Sequence, residues 1–400
     1  MIDIGGLYHA QWHLHSRLKH DEVDVRSSLR CDEAWAELNN FGDPHVVVAT
    51  TDSGCRLDHP AFGGPEKFAG WGYFEGRELR TMATSRSMGS GMYLPGQHHG
   101  TSMCALISAV GGDQPVGVAP ACRLLPIRLP TDANLAHVSE DAILRILDYV
   151  AERADVLLIS WSKLPYFLLS STVVDRIGEL TECGGRRGRG VVVVCAAGNS
   201  NCPIQFSSGT AIPYEAHFGS GRPFGPDVKR SRTFRNVLVP LPGVLHVSSV
   251  SSLARRCHYS CYGPGIDLCA PSSNSRVFRG DMLAGLGLTT ATADPAKPTH
   301  RFKGTSGAAA LVAGTAALVV SVNSGLSALE VCRVLQESAS KDLDHAGYEP
   351  PSPASPDSAW DLPPVTPFGQ GSFNDHGWSP WFGYGKVDAV QAVTLARNWK

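Results

Sequence analysis

Five short runs of aliphatic and β-branched residues constrain this chain more than any other feature. They are "VVVAT" (46–50), "RLLPIRL" (123–129), "VLLIS" (156–160), "VVVVCAA" (191–197) and "VLHVSSV" (244–250). Two of them are so uniformly apolar that a strand formed there must be covered on both faces, which is the condition of a strand inside a parallel sheet. Helical patterns fall among and after these runs. In "SEDAILRILDYVAERA" (139–154) Ser139 is placed to cap, and Ile143, Leu144, Ile146, Leu147 and Val150 share one broad face. "LSALEVCRVLQESA" (326–339) and "VDAVQAVTLARN" (387–398) repeat the pattern. Strands alternating with helices predict right-handed crossovers and a doubly wound α/β fold with a mostly parallel central sheet.

Residues 1–400 read as a single domain. Two segments, about 201–240 and 341–380, are rich in Pro, Gly, Ser and aromatics without helical or strand period, and are expected to be surface insertions. The second contains "GYEPPSPASPDSAWDLPPVTP", which predicts an extended loop. A formal charge of -2 gives no electrostatic reason to expect nucleic acid or an anionic membrane as partner. The longest apolar run, "AAALVAGTAALVVSV", falls short of a bilayer span.

The opening "MIDIGGLYHAQWHLHSR" has no cationic n-region followed by an apolar h-region. Eleven cysteines, an odd number with no paired CxxC spacing, predict mostly free thiols, with "CHYSC" (257–261) as the place for a local disulfide. Together these set the expectation of a cytoplasmic protein. The alternative is a secreted mature form whose pre-pro segment lies outside this sequence.

The chemistry starts from "RFKGTSGAAALVAG" (301–314). Ser306 stands at the first turn of a helix that is apolar all round, where unpaired N–H groups and the positive end of the helix dipole collect. A serine is a poor nucleophile until an imidazole takes its proton and a carboxylate holds that imidazole. Among 15 histidines, His99 in "QHHGTSMCALISAV" projects from a helix entry, ahead of His98 and of His59 in its "HP" turn. Asp52 ends the buried run "VVVATTD", where open α/β sheets place ligands, with Asp58 as its rival. Asn199 follows "VVVVCAAG", where its amide can donate to a developing oxyanion beside the backbone N–H of Ser306.

"ATTDSG", "HHGTSMCALISA" and "FKGTSGAAALVAG", in that order, resemble the aspartate, histidine and serine motifs of the subtilisin-like serine proteases, the subtilases. "LYHAQWHL" (7–14), "GVAP" (117–120), "CYGPGIDLCAPS" (261–272) and "GYGKVDAVQAV" (383–393) extend the likeness over nearly the whole chain. The resemblance implies the three-layer subtilisin-like fold and a serine endopeptidase working through an acyl-enzyme. Asp52 would orient His99, His99 would be the general base, Ser306 the nucleophile and Asn199 the oxyanion-hole donor. "ISWSK" (159–163) matches the family segment whose backbone pairs with substrate, so Ser160, Trp161 and Ser162 would line the cleft, with Ala196, Ala197 and Gly198 as another wall.

Departures from the family pattern carry their own expectations. Ser102 stands where the family has a histidine, Gly307 where it has methionine and Ala310 where it has proline, so space is expected beside the nucleophile. Trp161 in place of leucine and Ser162 in place of glycine predict a narrowed cleft and restricted specificity. Many relatives bind structural calcium, but Ala61 replaces an acidic residue and "VGGDQP" (110–115) is short, so the usual site is expected to be weak or missing. No cofactor is required, and the partner is a peptide or protein substrate, with the oligomeric state left open. Two other readings share the fold: a catalytically impaired, peptide-binding pseudoprotease, and a peptide ligase or macrocyclase.

Overall fold

In the computed structural model the described residues are 4–17, 22–83, 89–130, 138–161, 163–216, 228–273, 276–278, 281–283, 286–345, 359 and 362–399. The strands of the central sheet and of a smaller three-stranded sheet are, in chain order, β1 Val47–Asp52, β2 Gly72–Glu75, β3 Glu78–Thr81, β4 Arg123–Arg128, β5 Val156–Ile159, β6 Tyr166–Phe167, β7 Val192–Ala196, β8 Phe206–Glu215, β9 Val228–Asn236, β10 Val244–Val250 and β11 Leu268–Pro271; two further hairpins pair Arg276–Phe278 with Asp281–Leu283 and Leu288–Thr290 with Thr299–Phe302. Helices are α1 Cys31–Leu38, α2 His99–Ser108, α3 Glu140–Ala151, α4 Ser171–Cys183, α5 Thr305–Val322, α6 Ala328–Glu337 and α7 Ala389–Asn398. All five predicted strands form, as do the helices predicted at 139–154, 326–339 and 387–398 and those expected to open at His99 and Ser306.

Eight strands make one sheet in the order β11-β10-β7-β5-β1-β4-β2-β3, parallel throughout except for the β2–β3 hairpin at its edge. The uniformly apolar runs follow from covering on both faces. Val48, Val156, Leu158, Val192 and Val194 point into the layer of α2 and α5, while Val47, Ala49, Leu157, Ile159 and Val193 point into the layer of α3 and α4. Ser139 Oγ accepts from Ala142 N at 3.3 Å and so starts α3 as expected.

Helix α5 is the central support. Every residue from Thr305 to Val320 is buried, as an all-round apolar helix requires. Its 18 residues are long and apolar enough to cross a membrane, which corrects the expectation that no run reaches that length; 89% of them are buried inside the protein. Truncating a packed side chain there, such as Leu311→Ala, would cost about 2–5 kcal/mol.

Two expectations are corrected. Residues 201–240 are not an irregular excursion: β8 and β9 pair antiparallel, and β9 also pairs with β6. The period was hidden because only the feet of the ribbon are buried, at Ile212, Tyr214, Glu215, Phe234 and Asn236, while "SSGT" and "VKRSR" face water. The local disulfide expected at 257–261 does not form. All eleven cysteines are thiols, and Cys261 faces Cys202, with their sulfurs 3.9 Å apart. Most of the proline-rich stretch lies outside the described residues; the part that follows is pinned by Phe368, Trp381 and Phe382 against Val250, Tyr262 and Leu343.

Candidate active site

The sheet register brings the candidate residues together. Asp52 is the last residue of β1, and the pairing of Thr51 with Ile159 on β5 sets Ser160 beside it. Asp52 is 2% exposed. Its carboxylate accepts from Ser53 N at 2.7 Å, from Ser160 Oγ at 2.5 Å and from His99 Nδ1, which lies 2.9 Å from each oxygen. Burial is the strongest single influence on Asp52 and would raise its pKa. The charge and hydrogen bond of His99, with the Ser160 and Ser53 bonds, outweigh it and hold the carboxyl below its ordinary range.

His99 opens α2, and its side chain is 39% exposed. Burial of the ring favours its neutral form, yet attraction to Asp52 wins and raises the imidazole pKa above the ordinary value. The glycine after it is dictated by close approach. A Cβ on Gly100 would stand 2.0 Å from the Gly54 carbonyl oxygen, so only a bare backbone lets α2 start against the Asp52 turn. Two of the rival side chains are engaged elsewhere: His59 Nδ1 accepts from Ala61 N, and Asp58 pairs with Arg56 at the surface.

Ser306 is the second residue of α5 and 7% exposed. Gly304, at φ +101°, turns the chain into the helix. The Ser306 hydroxyl donates to the Ser160 carbonyl at 3.2 Å, and among the described residues no hydrogen bond joins it to His99. Ser160 thus touches both halves of the site, its hydroxyl on the acid and its carbonyl on the alcohol. Asn199 approaches from β7 through Gly198, which has φ +107°. Its Oδ1 accepts from Thr305 N at 2.8 Å and from Thr305 Oγ1 at 3.1 Å, fixing the amide against the residue before Ser306. The N–H of Ser306 belongs to the first turn, whose donors have no intrahelical acceptor.

The expected cleft walls need correction. The Trp161 indole does not stand at the mouth: its Nε1 donates to Thr51 Oγ1 at 3.0 Å, and its ring meets Phe167 edge-on in the α3–α4 layer. Ser162 lies outside the described residues. Ala196 and Ala197 are buried in separate core clusters, so at that wall the site meets backbone rather than exposed methyl groups.

Nor does Gly307 leave space. A Cβ there would meet Leu288 Cδ1 at 2.7 Å and Phe302 ring carbons at 3.3 Å. The Phe302 ring in turn lies 5.4 Å from the His99 ring, centroid to centroid. Sequence reasoning missed Phe302, the hydroxyl of Ser160 and the Thr305 clamp. Only Ser160 left a signal, since it is the residue opposite Asp52 once β1 and β5 are paired.

For calcium, the side chains at the expected position do not fit. Ala61 is fully buried and offers a methyl group, and its carbonyl already accepts from Val110 N. Among the described residues no group of three or more His, Cys, Asp or Glu side chains is arranged to hold a metal ion.

A buried acid, an imidazole on it and a hydroxyl at the mouth of a core helix, set at the strand ends of a doubly wound sheet, define a subtilisin-like arrangement. The sequence model of the subtilase family matches residues 43–385, and the chain belongs to that family. It is 24% identical over 412 residues to a calcium-dependent protease of Nostoc sp., covering 96% of this chain and 51% of that protein. Against Mycosin-3 of Mycobacterium tuberculosis it is 29% identical over 262 residues, covering 60% of this chain and 54% of Mycosin-3. The chain thus spans about half the length of the curated relatives it matches. A protease from Pseudoalteromonas arctica shares the fold with a TM-score of 0.60 at 20% identity, covering 99% of this chain and 100% of that one.

Proposed function

We propose that the chain is a serine endopeptidase in which Ser306 attacks the scissile carbonyl, His99 is the general base and Asp52 holds the imidazole. The observation that carries this reading is the buried Asp52 carboxylate on His99 Nδ1, which leaves Nε2 as the nitrogen that accepts a proton. In the resting site the Ser306 hydroxyl is parked on the Ser160 carbonyl. A substrate strand pairing along residues 160–161 brings a backbone N–H to that same carbonyl and displaces the hydroxyl toward His99.

The chemistry then balances without a cofactor. The Ser306 proton passes to His99 Nε2 as Oγ bonds to the carbonyl carbon. The oxyanion accepts from the Ser306 N–H and the Asn199 amide. Collapse expels the amine with the proton from His99; water, deprotonated by the same ring, then adds to the acyl carbon, and as the Oγ–C bond breaks the ring returns that proton to Ser306 Oγ and the acid leaves. Asp52 remains ionised throughout, as its depressed pKa allows. A purely peptide-binding role gives no reason for a buried carboxylate to raise the basicity of an imidazole at this place.

A fluorophosphonate probe tests the reading. Stoichiometric labelling of Ser306, abolished in Ser306→Ala, is expected; an unlabelled wild type, or labelling that survives the substitution, would refute it.

A further inference from the structure

The β8–β9 ribbon carries charge that the fold does not use. Strand β9, "VKRSRTFRN", holds Lys229, Arg230, Arg232 and Arg235, four cations in nine residues, against 35 in 400 for the whole chain. All four are exposed. Among the described residues none forms an ion pair; Arg230 Nη1 reaches only the Ala211 carbonyl, at 3.5 Å. The cross-strand partners on β8 are Phe206, Ser207, Ile212, Pro213, Tyr214 and Glu215. The one carboxylate among them, Glu215, is buried and accepts from Ala359 N.

Both ends of this strand connect to segments that carry site residues. At its start Val228 pairs with Glu215, whose N–H donates to the carbonyl of Ser200, the residue after Asn199. At its end Arg235 and Asn236 pair with Tyr166 and Phe167, a few residues beyond Ser160. Strand β6 pairs only with that end, so among the described residues no strand pairs with the edge from 229 to 233 on that side. Arg230 and Arg232 project from one face about 7 Å apart, the spacing of alternate residues in an extended chain.

We infer that β9 is an exosite for an acidic, extended segment of the protein substrate, lying outside the residues that flank the scissile bond. The inference rests on the protease reading above and names its substrate class. Carboxylates at alternate positions match the Arg230 and Arg232 spacing, while Lys229 and Arg235, at odd positions, project from the opposite face and add positive charge to the strand without lying in the same row. A patch this narrow on a chain of net charge -2 lacks the broad positive field that nucleic acid or an anionic membrane exploits.

The test compares a neutral fluorogenic peptide with two versions that carry an alternating Asp-Gly block, one on each side of the cleavage point, joined by a spacer of about six residues that reaches about 20 Å. At low salt the chain should cleave at least one extended peptide about tenfold faster in kcat/KM, and high salt should remove the advantage. In the combined variant Lys229→Gln, Arg230→Gln, Arg232→Gln, Arg235→Gln the advantage should vanish. Hydrolysis of the neutral peptide and the rate of fluorophosphonate labelling, which also report folding, should stay unchanged. Equal treatment of all three peptides by the wild type, or an advantage that survives the substitutions or high salt, would overturn the exosite. Failure of the protease reading looks different: no peptide is cleaved and no probe attaches. Binding of the Asp-Gly peptide to wild type and variant, read by fluorescence anisotropy, then decides the surface, and equal affinity sinks it. Tighter binding of an oligonucleotide or an anionic vesicle than of the acidic peptide to Ser306→Ala would overturn it as well.

Discussion

The site end of α5 and the β8–β9 ribbon adjoin the same Asn199 loop but are specified in opposite ways. Around α5 every residue from Thr305 to Val320 is buried, and small residues such as Gly307 and Gly314 meet neighbours with no room to spare. In the ribbon only the feet are buried, and the charged positions between them are exposed and form no ion pair among the described residues. Identity near α5 is therefore fixed by packing and by the chemistry of the site. Identity in the ribbon is left to whatever meets it from outside.

The largest expected effect breaks the electrostatic half of the site. Asp52→Asn keeps the shape but removes the charge that raises the His99 pKa, and kcat should fall by roughly 10⁴-fold. The pH profile gives the sign. Catalysis needs neutral His99, so the wild-type acid limb lies above the ordinary histidine value near 6.5. Without Asp52 the attraction is gone and burial remains, so the residual activity should extend to lower pH. An acid limb that stays in place would separate His99 from Asp52 and break the proposed pairing. Next in size, Asn199→Ala removes the proposed oxyanion donor and should slow kcat by about two to three orders of magnitude, about 2.7–4 kcal/mol, with KM little changed. Because Asn199 Oδ1 also holds Thr305, a melting curve should be recorded beside the rates.

Much of this was legible before the fold was known, for a physical reason. Strands covered on both faces must be apolar throughout, so β1, β5 and β7 announced themselves, and a polar residue at the end of such a run is conspicuous. Side-chain direction was less legible, although parity contains it. Leu157, Ile159 and Trp161 alternate onto one face, which sends the indole into the α3–α4 layer and Ser160 toward Asp52. What fills the gap at Gly307 could not be read, because Leu288 and Phe302 come from a separate two-stranded ribbon, 288–290 with 299–302, whose fold-back on α5 has no local signature. The ribbon of β8 and β9 was missed because water covers most of its period.

A substitution at 307 sharpens the comparison from the packed side. Gly307→Met restores the family residue but drives its side chain into Leu288 and Phe302, so stability should drop by about 1–3 kcal/mol in denaturant unfolding. Phe302 borders His99, and a displaced ring should lower kcat as well. Unchanged stability would mean that the local fit is loose and that this end of α5 is no more specified than the ribbon.

The smallest expected effect comes from the ribbon itself. Arg230 and Arg232 share a face, are exposed and pair with no carboxylate among the described residues, so each is repelled more than it is held. Arg232→Gln should change unfolding free energy by about 0.5 kcal/mol or less, and raised salt should narrow the difference further. A loss well above about 1 kcal/mol would mean that these cations hold the ribbon to the body of the protein. The contrast with α5 would then dissolve, because charge in β9 would be structural in the same sense as apolar volume in the core.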